Sequence, residues 1–136
     1  MPQQIPIVRL HNNLLVSIQV ELTDQLVSEL KDDLTDAIQS EDVRGLVIEL
    51  SGVDILDSYI ARSLRDVSHV AKLMGVQTII AGLDPSMAVT LIEMGLELTG
   101  VSVALNLESA LEMLQESSAR EQLAMDTLLG NLFGRR

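Results

Sequence analysis

The chain has 136 residues, enough for one domain around one hydrophobic core, and 47% of them are apolar. It contains no cysteine, which excludes disulfides and thiolate metal sites and fits a cytoplasmic location. The formal net charge of −11 opposes binding to DNA or RNA, and no apolar run approaches the roughly 20 residues of a membrane-spanning helix. We therefore expect neither a nucleic-acid partner nor a membrane partner.

Nine segments carry the hydrophobic periodicity of a strand or a helix. Short runs rich in Ile, Leu and Val predict strands at 5–10, 14–20, 46–50, 76–82 and 101–104. Apolar residues at helical spacing predict helices at 24–40, 58–74, 85–94 and from 107 onward. Strands that alternate with helices need crossover connections, so the order β-β-α-β-α-β-α-β-α predicts an α/β fold: a mixed, mostly parallel sheet packed with about four helices.

Turn and capping residues mark the boundaries of these segments. Asn12-Asn13 tolerates positive φ and predicts a tight turn between the first two strands. Thr23 and Asn106 are side chains of the type that caps a helix N-terminus, and Asp84 has the same role before Pro85. Gly75 and Gly95 follow predicted helices at the positions where a C-terminal glycine is expected.

The composition changes after about Gln115. We assign residues 1–118 to the domain and 119–136 to a C-terminal tail that is a short helix or disordered. Four apolar residues of the tail recur at helical spacing, and two glycines weaken the pattern. The apolar residues are Met125, Leu128, Leu129 and Leu132, and the glycines are Gly130 and Gly134. Two interpretations remain open, a frayed amphipathic end and a docking segment for a partner.

The triplet Asp57-Ser58-Tyr59 stands where a buried apolar run gives way to a helical pattern. Ser58 could cap the helix, but Asp57 could do so equally well and would leave the Ser58 hydroxyl facing outward. Ser58 could be a nucleophile, but His69 lies about 16 Å further along the same helix and there is no GxSxG motif. A phosphate on Ser58 would meet the free N–H groups of a helix N-terminus, with Arg62 one turn away.

Charge is segregated between two predicted helices. Helix 58–74 carries a stripe formed by Arg62, Arg65, His69 and Lys72. Helix 24–40 has five acidic residues against Lys31 alone. The stripe is either a solvated helix face or a recognition surface for an acidic partner.

Other chemistries find no support in the sequence. There is no phosphate-binding loop, no dinucleotide-binding motif and no His/Cys cluster, and the acidic residues lack the spacing of a calcium-binding loop. We therefore expect no cofactor, no metal and no catalytic activity.

Three stretches of the chain resemble a known family: IPIVRLHNNLLVSIQVELTD, LVIELSGVDILDSYIARSL and KLMGVQTIIAGLDPSMAVTLIEMGL. They are similar to the STAS domains of bacterial anti-sigma factor antagonists, and more narrowly to the small scaffold subunits of stressosomes. The resemblance covers about residues 4–116 and implies the STAS-domain fold. Tyr59-Ile60 follow the Asp-Ser pair, where the single-domain antagonists usually have a small residue and Gly. This departure favours the scaffold branch.

The resemblance also implies a mechanism. A switch serine/threonine kinase would dock at Asp57, Ser58, Tyr59, Arg62 and Arg65 and phosphorylate Ser58, and a cognate phosphatase would reset the site. The protein would form a homodimer and assemble with larger STAS paralogues into a multi-subunit particle that sequesters the kinase until stress. Alternatives are a single-domain antagonist that binds an anti-sigma factor directly, a small hydrolase using Ser58, and a transport-associated STAS module.

Overall fold

A computed structural model of the chain describes residues 5–40, 42–93 and 101–134, which form nine elements. The strands are β1 (Ile7–Leu10), β2 (Asn13–Ser17), β3 (Gly45–Glu49), β4 (Gln77–Ala81) and β5 (Val101–Ala104). The helices are α1 (Asp24–Ser40), α2 (Ser58–Leu73), α3 (Pro85–Glu93) and α4 (Leu107–Leu132). The predicted α/β class and element order are confirmed.

The five strands form one mixed sheet in the order β1-β2-β3-β4-β5. β1 and β2 pair antiparallel, and the other neighbours pair parallel. Since the strands lie side by side in chain order, right-handed crossovers carry α1, α2 and α3 to the same face of the sheet. The main core on that face contains residues of all three helices, and α4 packs on the opposite face.

The second face of the sheet is covered by the first half of α4. Ala110 and Leu114 pack there against side chains of β3, β4 and β5. A Cβ at Gly45 would lie 2.7 Å from Leu114 Cδ2, so the glycine gives α4 room to approach β3. β1 receives less cover, since Val8 is 50% exposed and Leu10 is 42% exposed.

The first turn differs from its prediction by one residue. His11 and Asn12 form the turn, and His11 takes the positive φ of 57°. Asn13 instead begins β2, where it pairs with Leu10 on one side and with Gly45 on the other. Histidine is among the residues that tolerate this conformation better than most, which is why the turn can form there.

The end of α4 also differs from expectation. Predicted to change character near residue 118, the chain continues as one helix of 26 residues, about 39 Å long, to Leu132. Glu, Gln, Leu, Ala and Met dominate this stretch and are all good helix formers, so the composition change does not end the helix. We call residues 118–133 the α4 overhang, because every side chain in it is exposed. The domain boundary at residue 118 stays a prediction, and the predicted end of α3 at Gly95 lies outside the described residues.

Candidate phosphorylation and partner-binding site

A loop of residues 50–57 leads from the carboxyl end of β3 to α2. Val53 and Leu56 are buried in the main core, and the Val53 N–H donates a hydrogen bond to Leu50 O at 2.9 Å. Asp54 and Ile55 lie between these anchors and are exposed, and Ile55 is 75% accessible. Buried apolar side chains therefore anchor the loop, and Asp54 and Ile55 face the solvent next to the start of α2.

A buried carboxylate fixes the start of this loop. Glu49, only 8% exposed, accepts hydrogen bonds from the Ser51 backbone N–H at 2.8 Å, from Ser17 Oγ at 3.2 Å and from Gln19 Nε2 at 3.4 Å. The network ties the end of β3 to β2 and to the second residue of the loop. We did not predict it, although an acidic residue inside the apolar run LVIEL was a signal for a buried polar partner.

Gly82, which follows β4, lies beneath the loop next to Glu49 and Ser51. It has φ of 75°, and a Cβ there would lie 2.6 Å from Glu49 Oε1 and 3.0 Å from Ser51 N. Only glycine adopts this conformation readily while admitting so close an approach. The ends of β3 and β4 are thus locked together beneath the loop.

Asp57 is the N-cap of α2. Its Oδ1 accepts the Ile60 N–H at 2.8 Å, and its backbone is extended, with φ of −92° and ψ of 176°. Ser58 is the first helical residue and is half-buried. Among the described residues, no side-chain hydrogen bond of Ser58 is found. Of the two capping residues that the sequence left open, the structure therefore uses Asp57, and the Ser58 hydroxyl is not engaged.

The neighbouring serines are less suited to modification. Ser63 is 4% exposed and buried in α2. Ser86 Oγ donates a hydrogen bond to Asp84 Oδ1 at 2.6 Å. That bond, together with a second from the Met87 N–H, lowers the pKa of Asp84. Ser51 is exposed and remains the nearest alternative target.

The basic stripe of α2 reaches the solvent as predicted. Arg62, His69 and Lys72 are exposed, while Arg65 is half-buried with its Nε 4.0 Å from Asp66 Oδ1. No ion pair of Arg62 is found within the described part of the chain. Tyr59 is half-buried and packs on the main core, so only part of its ring is accessible to solvent.

An acidic surface borders this stripe. α1 packs against α2, and its exposed carboxylates are Asp24, Glu29, Asp32, Asp33 and Asp36. A groove of about 440 Å³ separates the two helices and is lined by Lys31, Asp32, Thr35, Asp36, Asp66 and Val70. The charge segregation predicted from sequence therefore becomes two surfaces of opposite sign on two packed helices, and Asp66 and Val70 are the residues of α2 that line the groove.

Neither histidine of the chain lies near Ser58. His69 is on the same helix about 16 Å away, and His11 lies in the β1–β2 turn at the opposite end of the sheet. Within the described residues, no group of His, Asp and Glu could hold a metal ion. None of the helices described is long and apolar enough to cross a membrane.

The fold agrees with the comparison to known families. Residues 4–112 match the STAS domain model, and the chain belongs to the STAS domain family.

Within that family the chain is similar to stressosome proteins. The solved structure of the S58E variant of RsbS from Moorella thermoacetica is 34% identical, with a TM-score of 0.78, and the match covers 86% of this chain and 99% of that one. A chain in a structure of the stressosome, described as a signal integration and transduction hub, is 32% identical, with a TM-score of 0.70 and coverage of 83% and 98%.

A curated relative is the RsbT co-antagonist protein RsbRD of Bacillus subtilis. It is 36% identical over 66 residues, which are 48% of this chain and 24% of RsbRD. The chain thus spans about a quarter of the length of this larger relative.

Proposed function

We propose that the protein is a non-enzymatic scaffold and phosphorylation switch of a bacterial stressosome, which sequesters a serine/threonine kinase until Ser58 is phosphorylated. The observation that carries the proposal is the position of Ser58 in the first turn of α2, with its hydroxyl not engaged and with Asp57 as the cap. The similarity to RsbS and to a stressosome chain supports the setting. The protein would thereby regulate a stress signalling cascade in the cytoplasm.

The covalent step is the transfer of the γ-phosphoryl group of ATP to Ser58 Oγ, which releases ADP and the hydroxyl proton. The new group adds roughly −1.5 to −2 charge at pH 7. The N–H groups at the start of α2 and the positive end of its dipole favour this charge, and Arg62 lies one turn away. Asp57 keeps its hydrogen bond to Ile60, so the helix and the fold survive the modification.

The kinase would dock on the loop and on the first turns of α2. Asp57, Ser58, Tyr59, Arg62 and Arg65 offer charge and shape, and the exposed Ile55 beside them offers an apolar anchor that sequence reasoning missed. Phosphorylation concentrates negative charge between Asp54 and Asp57 and would repel a partner adapted to the free hydroxyl. Release of the kinase follows from this repulsion, and a cognate phosphatase restores the docking surface.

Co-assembly would supply the scaffold function. We infer a homodimer that joins larger STAS paralogues in a multi-subunit particle, and the similarity to the co-antagonist RsbRD supports this partnership. Mixing the protein with such a paralogue should give a large particle by light scattering. If the mixture stays at the size of its components while the protein binds an anti-sigma factor, the protein is a direct antagonist instead.

Mass spectrometry of the intact protein tests the switch. After incubation with ATP and the cognate kinase, wild type and Ser51→Ala should gain one phosphate, and Ser58→Ala should gain none. Ser58→Ala should lose about 1 kcal/mol of stability or less, because Asp57 does the capping. A full phosphate on Ser58→Ala would overturn the assignment.

Two further measurements test the mechanism. Amide chemical shifts should change on phosphorylation near residues 52–66 only, and the kinase should bind the phosphoprotein more weakly. Shifts spread over the whole sheet, or tighter binding, would contradict a local change of surface.

A further inference from the structure

The α4 overhang carries an apolar stripe that its own domain does not cover. Its members share one side of the helix and are between 42% and 81% exposed: Met125, Leu128, Leu129, Leu132 and Phe133. Met125, Leu128 and Leu132 follow the alternating spacing of three and four residues that is typical of helix–helix contacts. Leu123 is also exposed. It precedes Leu132 by nine residues, and at about 100° of rotation per residue this separation places the two side chains on opposite sides of the helix.

The domain holds the overhang only weakly. An ion pair joins Arg44 Nη1 to Glu121 Oε2 at 3.9 Å, and both side chains are exposed, so it contributes under about 1 kcal/mol. An open cleft of about 650 Å³ separates the overhang from the amino end of the sheet, with Asn12 and Arg44 on the domain side and Met125 and Leu128 of the stripe on the other, so the domain leaves this part of the stripe exposed. An isolated helix of about 15 residues is only marginally stable in water, and Gly130 lowers its propensity further.

The overhang also lies outside the part of the chain that matches the STAS domain. The STAS match ends at residue 112, within the part of α4 that packs on the sheet. The overhang is poorly suited to a membrane surface. Helices that lie on membranes are rich in Lys and Arg, whereas the charged residues of the overhang are Glu121 and Asp126 with Arg120.

We propose that the overhang of one copy packs antiparallel against the overhang of a second copy. Taking about 200 Å² for a fully exposed large apolar side chain, the stripe offers roughly 600 Å² per copy. A pair would therefore bury about 1,200 Å², the lower limit of the range for stable specific interfaces. One patch that meets itself across a two-fold axis satisfies the symmetry that most homodimers use.

The antiparallel direction follows from charge. Each domain lies at the start of its overhang, and each chain carries a formal net charge of −11. An antiparallel pair places the two domains at opposite ends of the helix pair, whereas a parallel pair would bring two acidic domains side by side. The two-fold axis then passes near Leu128 and Leu129, the centre of the stripe. This interface is independent of Ser58, which lies at the other end of the sheet.

Native mass spectrometry of the full chain tests the interface with a matched pair of variants. Wild type should form a particle larger than that of Leu128→Glu, with twice its mass if the overhang is the one interface between copies. Leu123→Glu introduces the same charge on the opposite side of the helix and should keep the wild-type mass. Equal masses for wild type and Leu128→Glu, or equal loss in both variants, would overturn the proposal.

The absence of native cysteine permits a second test that needs no destabilising change. Leu128→Cys should form an intermolecular disulfide under mild oxidation much faster than Leu123→Cys. In a mixture of Met125→Cys and Leu132→Cys chains, the mixed dimer should dominate. Equal rates at 123 and 128, or a preference for 125–125 dimers, would contradict the antiparallel pair.

Discussion

The two ends of the sheet are built in opposite ways. At the carboxyl end, Val53, Leu56 and the Glu49 network hold the loop before Ser58 in place, and Asp57 caps α2. At the amino end, the α4 overhang projects past the sheet with an exposed apolar stripe and one weak ion pair. The carboxyl end is suited to a change of charge at Ser58 that leaves the fold in place. The amino end is suited to association that buries the apolar stripe of the overhang.

The two halves of α4 should respond differently to the same truncation. Leu114→Ala removes a buried side chain from the second face of the sheet and should lower the free energy of unfolding by about 2–5 kcal/mol. Leu128→Ala removes a half-exposed side chain and should change the unfolding of the domain by less than about 0.5 kcal/mol. Urea denaturation at protein concentrations below the association range measures both, and similar losses would show that the overhang belongs to the domain core.

Two glycines with similar φ allow the cost of backbone strain to be separated from the cost of a steric clash. Gly82 follows the carboxyl end of β4, and Gly75 precedes its amino end. Gly82→Ala should cost about 2–3 kcal/mol, since its methyl group would press on Glu49 and on the backbone of Ser51 as well as strain the backbone. Gly75→Ala has nothing within 4 Å and should cost only about 1–2 kcal/mol, for the left-handed conformation. Thermal unfolding gives the difference. Equal costs would mean that the Glu49 network yields readily and does not hold the loop.

Charge reversal on α2 should affect binding more than folding. Arg62→Glu, one turn from Ser58, should weaken kinase binding about tenfold, or 1.4 kcal/mol, with little change in unfolding. Lys72→Glu makes the same reversal ten residues further along the stripe, about 15 Å away, and should leave the affinity near that of wild type. Calorimetric titration with the kinase distinguishes them, and equal affinities for all three proteins would show that the stripe is only solvated.

The smallest effect concerns the cap of α3. The hydrogen bond from Ser86, and then that from the Met87 N–H, holds the pKa of Asp84 below its ordinary value of 3.8. The stabilisation is therefore complete above that value and is lost as the pH falls through the lower pKa of the folded state. Amide exchange of Met87 should accelerate only in strong acid, and Ser86→Ala should move this transition towards the ordinary pKa. A transition unchanged by Ser86→Ala would contradict the assigned cause.

Much of the fold could be read from periodicity, because apolar side chains on one face of each helix and in β3 and β4 must be buried. Where two residues satisfy the same local rule, the sequence could not choose between them. Asp57 and Ser58 can both cap α2, and Asp57 is the residue that has the extended backbone of an N-cap. His11 and Asn13 are a similar case, decided by the register of β2 with β3.

The candidate site was predicted only in part. The position of Ser58 and the basic stripe follow from linear spacing along one helix. Glu49 and Gly82 meet only after β3 and β4 pair, so their contact is invisible to any local pattern. The length of the helix in the overhang was underestimated. Its residues favour a helix by intrinsic propensity, but its apolar side chains are not buried, so a pattern that looks for a buried face is weak there.

The placement of the helices also bears on how the chain folds as it is synthesised. Each strand from β2 to β5 can join the sheet in the order in which it leaves the ribosome, and α1 to α3 cover one face as they follow. The opposite face, with Val47, Ile79 and Ala81, stays open to solvent until the first turns of α4 emerge. The nascent chain therefore carries an apolar face without its cover from the time β3 and β4 pair until α4 is made.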